Sequence, residues 1–155
     1  MSIKIDLKIF LFAIIFWFTK QIELYALLMI LALIHECGHL VCGICLGLKP
    51  SSIKITPVGF QILFKNYIQD YNTKVQKGNE VCIKKIAIAF AGPLVNVFIA
   101  IIAFFMPQNM AIPKETLIYA NLILAIFNLL PIYPLDGGRM LKEIVAIKKR
   151  KKKGI

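Results

Sequence analysis

The sequence predicts an all-α membrane protein of about four transmembrane helices with one short β segment, in a single unit covering residues 1–155. Two compositional facts and one pattern predict it. Hydrophobic residues make up 59% of the 155 and charged residues only 17%, whereas a soluble globular domain holds about 45–50% apolar and about 25% charged residues. A chain this short cannot hide that much apolar surface from water. The apolar residues fall in four runs, and the Lys and Arg residues lie between them. An ordinary soluble enzyme, a disordered chain and a collagen are thereby excluded. The four cysteines (Cys37, Cys42, Cys45, Cys82) lie within or beside apolar runs, so they read as small buried residues rather than a disulfide framework.

The first span is expected near 9–19, an apolar stretch between Lys8 and Lys20. It is short against the roughly 20 residues a span requires, but flanking lysines can snorkel to the interfaces. It also resembles a signal-peptide core, yet the small-residue cleavage pattern does not follow it. The second span, 24–48, has no Lys or Arg but holds His35, Glu36 and His39. Residues 53–64 are rich in β-formers and broken by Pro57 and Gly59, which reads as two short strands and a turn. Residues 65–80 read as a polar surface loop. The third span is expected at 86–106, and the fourth at 117–135 with Pro131 and Pro134 near its end. A basic tail, 139–155, closes the chain.

Charge placement sets the expected orientation. With four spans, the N-terminus, the 49–85 loop and the tail share one side and carry 17 of the Lys and Arg residues, against two on the other. Positive charge marks the cytoplasmic side. The expectation is a multi-pass protein of the cell membrane with the 49–85 loop and the tail cytoplasmic. The net charge of +11 lies in bilayer-flanking loops rather than on one folded face, so no nucleic-acid partner is expected.

The chemistry sits in His35-Glu36-Cys37-Gly38-His39. On a helix, residues four apart share a face, and two imidazoles so placed can bind one zinc at about 2.0–2.1 Å. A glutamate directly after the first His is placed to act as general base. The bland alternative, satisfied polar residues inside a bundle, meets two objections. Ionisable groups inside a bilayer cost at least ~2.5–3.5 kcal/mol. These are also the only two histidines in the chain, and chance rarely puts such a pair four apart.

A catalytic zinc takes three protein ligands and leaves one position open. Cys42 is seven residues from His35, about 10.5 Å along a helix, too far to share the metal easily with His39. Asp136 is the carboxylate at the edge of a long apolar run whose backbone is built to bend: Pro131 and Pro134 interrupt helical bonding, and Gly137 and Gly138 permit close backbone approach. Irregular backbone at membrane depth lines a wet cavity or is buried in protein. Taken alone, the segment reads equally as a Pro-kinked helix end with a capping Asp. Depth favours the ligand: His35 lies about 16 Å from the outer end of its run, and residues 117–130 descend about 20 Å from the same side.

Three segments together, Ile34 to Leu40, Ala91-Gly-Pro-Leu-Val-Asn96 and Asn128-Leu-Leu-Pro-Ile-Tyr-Pro-Leu-Asp-Gly-Gly-Arg139, resemble the site-2 protease family of intramembrane zinc metalloproteases. Their order and spacing are those of the family's three-helix core, and the likeness covers nearly the whole chain. The resemblance implies one zinc per chain, held by His35, His39 and Asp136, with Glu36 as catalytic base. It implies that Asn128 and Pro134 help place the substrate, that Asn96 belongs to the central-helix motif as a further substrate-binding residue, and that the stretch around Gly59 is a membrane-associated β segment that pairs with an unwound substrate. For Asn96, an interhelical hydrogen bond is an equal reading.

The implied activity is hydrolysis of a peptide bond in or beside a transmembrane segment of a membrane-associated protein. The implied partners are that substrate, the lipid bilayer and a regulatory membrane protein. The chain ends at Ile155, so regulation by ATP through a C-terminal nucleotide-sensing domain is not carried over. One rival is a non-catalytic metal-binding membrane protein, a transporter or an inactive protease scaffold; Glu36→Gln separates the two. Another is a lipid-recruiting role for Lys148 to Lys153, worth about 1 kcal/mol per charge at an anionic leaflet. The plainer reading of that cluster is that it fixes orientation.

Overall fold

The structure is a computed structural model and describes residues 2–6, 8–48, 50–56, 59–64, 77–107 and 112–152. The chain order is β1 (Ser2–Ile5), α1 (Lys8–Phe18), α2 (Ile22–Cys45), β2 (Pro50–Thr56), β3 (Gly59–Phe64), α3 (Lys77–Phe105), α4 (Lys114–Leu129) and α5 (Asp136–Lys152). The expected Pro57 turn, residues 65–76 of the polar loop and residues 153–155 lie outside the described residues.

The first two helices form a hairpin. Lys20 takes a left-handed conformation at φ 56°, and the Gln21 N–H reaches back to the Phe16 carbonyl at 2.9 Å. That reversal stacks Phe16 on Tyr25, ring centroids 4.8 Å apart. At the far end, Gly47 (φ 81°) stops α2 in the manner of a left-handed helix cap. The chain returns to its starting end: β1 pairs in parallel with β2, Ser2 opposite Ser52 and Ile5 opposite Ile55. β3 then pairs antiparallel with β2, from Pro50 opposite Phe64 to Thr56 opposite Gly59. β2 is therefore the central strand of three.

α3 is the hub; α2, α4 and α5 all pack against it. What lies inside and outside inverts the usual globular rule. Apart from Tyr25 and Leu31, the buried set is mostly small or polar and includes Ala89, Ala100, Ala103, Ala125, Asn96 and Asn121. Large apolar side chains such as Phe98, Phe104, Ile126 and Phe127 face outward. Small residues let helix backbones approach when lipid, not water, surrounds the bundle. α2 and residues Gly78–Phe105 of α3 are long and apolar enough to cross a membrane. At 24 and 29 residues they run about 36 and 43 Å, beyond the roughly 30 Å of a hydrocarbon core. α1 and α4, with 11 and 16 residues, run about 16 and 24 Å.

Several boundaries differ from the sequence reading. α3 starts at Lys77, nine residues before Ile86, because its polar first turns have a partner in α5. Lys85 Nζ lies 3.4 Å from Glu143 Oε1, and Arg150 Nη1 lies 3.6 Å from Cys82 Sγ. α4 stops at Leu129, and residues 130–135 form turns rather than more helix. The tail is mostly helix: α5 runs from Asp136 to Lys152.

Candidate metal centre

Two elements, α2 and α5, place the three site residues. His35 and His39 lie one turn apart on the face of α2 that meets α3, and both are buried (5% and 4% exposed). Asp136, 4% exposed, is the first residue of α5. It is delivered there by the turn after α4, where Ile132 N–H bonds the Leu130 carbonyl at 2.7 Å and Leu135 N–H bonds the Ile132 carbonyl at 2.9 Å. Gly137 and Gly138 make this reversal possible: a Cβ at Gly137 would collide with the Leu129 and Leu130 carbonyls, and one at Gly138 with the backbone of Ile132 and Tyr133.

The three side chains converge on one point. His35 Nε2 and His39 Nε2 are each 3.1 Å from Asp136 Oδ2 and 3.1 Å from each other. His39 Nδ1 donates to the Ile88 carbonyl at 2.6 Å, and a carbonyl only accepts, so Nδ1 carries the proton. His35 Nδ1 faces Asn96 Oδ1 at 3.3 Å, which fixes its proton in the same way. Two lone pairs and a carboxylate oxygen therefore point at one another. That arrangement repels unless a cation lies among them. Ligands of a tetrahedral zinc at about 2.0–2.1 Å are themselves about 3.3 Å apart, close to the spacing found. His35, His39 and Asp136 thus form a group able to hold a metal ion, with the two-imidazole, one-carboxylate donor set of catalytic zinc sites.

α3 supplies the back wall through residues spaced one turn apart: Ile88, Gly92 and Asn96. A Cβ at Gly92 would fall on His39 Nε2 and within 2.6 Å of His35 Nε2, so only bare backbone lets α3 lie against the rings. Glu36 directly follows His35 on α2 and is half-buried. Arg139 Nη1 lies 3.5 Å from Asp136 Oδ1, one turn into α5. Because Arg139 is 39% exposed, its contribution is modest. Arg139→Ala is expected to lower metal affinity no more than about fivefold, roughly 1 kcal/mol, as read by competition with a chelator.

The other residues singled out in the sequence are not members of this three-residue group. Cys42 is free and half-buried, outside the metal group. Asn128 turns its amide back to the Leu124 carbonyl at 2.9 Å. Pro134 is exposed and follows a cis Tyr133–Pro134 peptide. Gly59 opens β3, opposite Thr56. Asn96 is wholly buried behind the His35 ring (0% exposed), its Oδ1 3.3 Å from His35 Nδ1. The sequence pattern did not single out the Ile88 carbonyl, Gly92 or Arg139. The available signal was the four-residue step from 88 to 92 to 96, which puts all three on one face of α3.

The chain is similar to known proteins. The profile of peptidase family M50 matches residues 23–113 and 108–154. A zinc metalloprotease of Methanocaldococcus jannaschii is 32% identical over 140 residues, covering 86% of this chain and 36% of the relative. Stage IV sporulation protein FB of Bacillus subtilis is 26% identical over 126 residues, covering 79% of this chain and 40% of the relative. The chain thus spans well under half the length of these two relatives. The solved structure of the site-2 protease from Methanocaldococcus jannaschii superposes with a TM-score of 0.71 and 28% identity, over 97% of this chain and 71% of that one. With a profile match running over most of its length, two helices fit to cross a membrane and the His–His–Asp group in place, the chain belongs to peptidase family M50, the site-2 protease family.

Proposed function

We propose that this protein is an intramembrane zinc metalloprotease that cuts a peptide bond in or beside a transmembrane segment of a membrane-associated protein. The observation that carries the reading is the trio of His35 Nε2, His39 Nε2 and Asp136 Oδ2, mutually 3.1 Å apart, with Glu36 next to His35 on α2. His35, His39 and Asp136 would hold one zinc. When bound, zinc withdraws electron density from a carbonyl and makes water a stronger acid. Glu36 takes the proton of the attacking water and passes it to the leaving amine. Asp136 is steadied by Arg139, and the Ile88 carbonyl and Asn96 hold the imidazoles with their lone pairs inward.

The four-span, multi-pass arrangement belongs to the same proposal. Pairing of β1 with β2 puts residues 2–5 and 50–56 at one end of the α1–α2 hairpin, which supports an N-terminus and a 49–85 loop on the same side. The charge bias makes that side, and the tail, cytoplasmic. α1 bares Phe10, Leu11, Trp17 and Phe18, which suits lipid. β3 pairs with β2 on one edge, leaving the other for strand addition by an unwound substrate near Gly59. Asn128, in the last turn of α4, and Pro134, in the turn that delivers Asp136, are placed to border such a chain.

The test uses purified protein in liposomes with single-span peptide substrates, cleavage being read by mass spectrometry. Glu36→Gln is expected to lower cleavage by roughly 10²–10⁴-fold with zinc still bound. Undiminished cleavage by the variant contradicts the role of Glu36. Zinc binding without cleavage in the wild type favours the non-catalytic alternative.

A further inference from the structure

We propose that Asn96 is a positioning residue for the metal centre: its side-chain oxygen holds the Nδ1–H of His35 and so commits Nε2 to the metal. This rests on the zinc reading of the site but not on proteolysis, and its test reads metal alone.

Four observations on different atoms lead to it. Asn96 is wholly buried, where an amide is retained only for a partner. Its Oδ1 is 3.3 Å from His35 Nδ1, whereas its Nδ2 has no hydrogen-bond partner among the described residues. The side chain therefore tolerates an unmet donor in order to present its acceptor. An apolar side chain would leave no unmet donor there, so packing alone does not account for an asparagine. The fourth observation is the companion contact: His39 Nδ1 donates to the Ile88 carbonyl, two turns earlier on the same face of α3. One helix thus orients both rings, by a backbone acceptor for one and a side-chain acceptor for the other.

The difference between the two acceptors has a consequence. A main-chain carbonyl is there whatever the side chain, so His39 keeps its orientation through most substitutions on α3. His35 depends on a single side chain. Without an acceptor at 96, the His35 ring loses the contact that selects its tautomer. The form protonated on Nε2 then becomes accessible, and that form cannot bind the metal. Outer contacts of this kind typically change metal affinity about 10–100-fold.

Asn121 supplies the control. It is another wholly buried amide, on α4, but its Nδ2 bonds the Leu117 carbonyl within its own helix at 2.8 Å. Loss of a buried amide as such should affect both positions alike; loss of the ring contact should affect only Asn96.

The experiment measures zinc affinity by chelator competition in detergent-purified wild type, Asn96→Leu, Asn96→Asp and Asn121→Leu, with helix content recorded for each. Asn96→Leu is expected to bind zinc at least about tenfold more weakly. Asn96→Asp, which keeps the oxygen in place, should stay within about threefold of wild type or bind more tightly, as in carboxylate–histidine–zinc arrangements. Asn121→Leu should stay within the same range. The visible spectrum of the cobalt-loaded forms should change for Asn96→Leu and not for Asn121→Leu. Wild-type affinity in Asn96→Leu, or equal losses in both leucine variants, overturns the proposal. If Asn96→Leu does not fold, a tenfold loss in the near-isosteric Asn96→Asp overturns it equally. A wild type that binds no zinc removes the metalloprotease reading and this inference together.

Discussion

Gly92→Ala is expected to weaken zinc binding on the order of 100-fold, although it removes no ligand and no charge. The added methyl would meet the Nε2 atoms of both His35 and His39. These are the tips of two rings already pinned behind, by the Ile88 carbonyl and by Asn96. Neither ring can retreat without breaking that contact, so α3 must move away from α2 or the rings must turn. Overpacking of this kind costs about 1–3 kcal/mol, and each 1.4 kcal/mol is tenfold in affinity. Helix propensity acts the other way: alanine favours a helix over glycine by about 1 kcal/mol. The signature is therefore a helical fold that is no less stable but has lost its metal. Chelator competition and thermal unfolding on the same sample separate the two effects. Unchanged zinc affinity in Gly92→Ala would mean that α3 does not lie against the imidazoles.

The chemistry was more legible than the architecture, for a physical reason. A histidine pair at helical spacing names its own geometry, because positions four apart share a face whatever the tertiary fold. Asp136 could be found because two prolines and two glycines marked a bend at membrane depth. The Ile88 carbonyl could not be found that way: every residue carries a carbonyl, and only the packing of α3 on α2 selects this one. Gly92 was visible as a motif letter, but its purpose depends on what faces it. β1 is four residues long and pairs with a strand some fifty positions away, so local pattern says nothing of it. α5 was hidden by its paired glycines, which disfavour helix locally. Its partners on α3, Lys85 and Cys82, draw the polar start of that helix well ahead of the apolar run.

Asp136→Ala has the largest expected effect on the metal. The variant leaves two imidazoles, both on α2, and removes the ligand that ties α5 to them. Loss of an outer contact already costs about 10–100-fold in affinity; loss of a ligand from a three-donor site should exceed that. Without the Asp136 carboxylate, His35 and His39 present two facing lone pairs 3.1 Å apart and no third donor from α5. Cys42 lies outside the metal group and offers no replacement.

Zinc per chain in detergent-purified protein, wild type beside Asp136→Ala, tests most directly whether α2 and α5 meet at one metal. The expected result is about one zinc in the wild type, the single metal of a three-ligand site, and a loss of more than about 100-fold in affinity in the variant. Zinc held equally well by both would contradict the account.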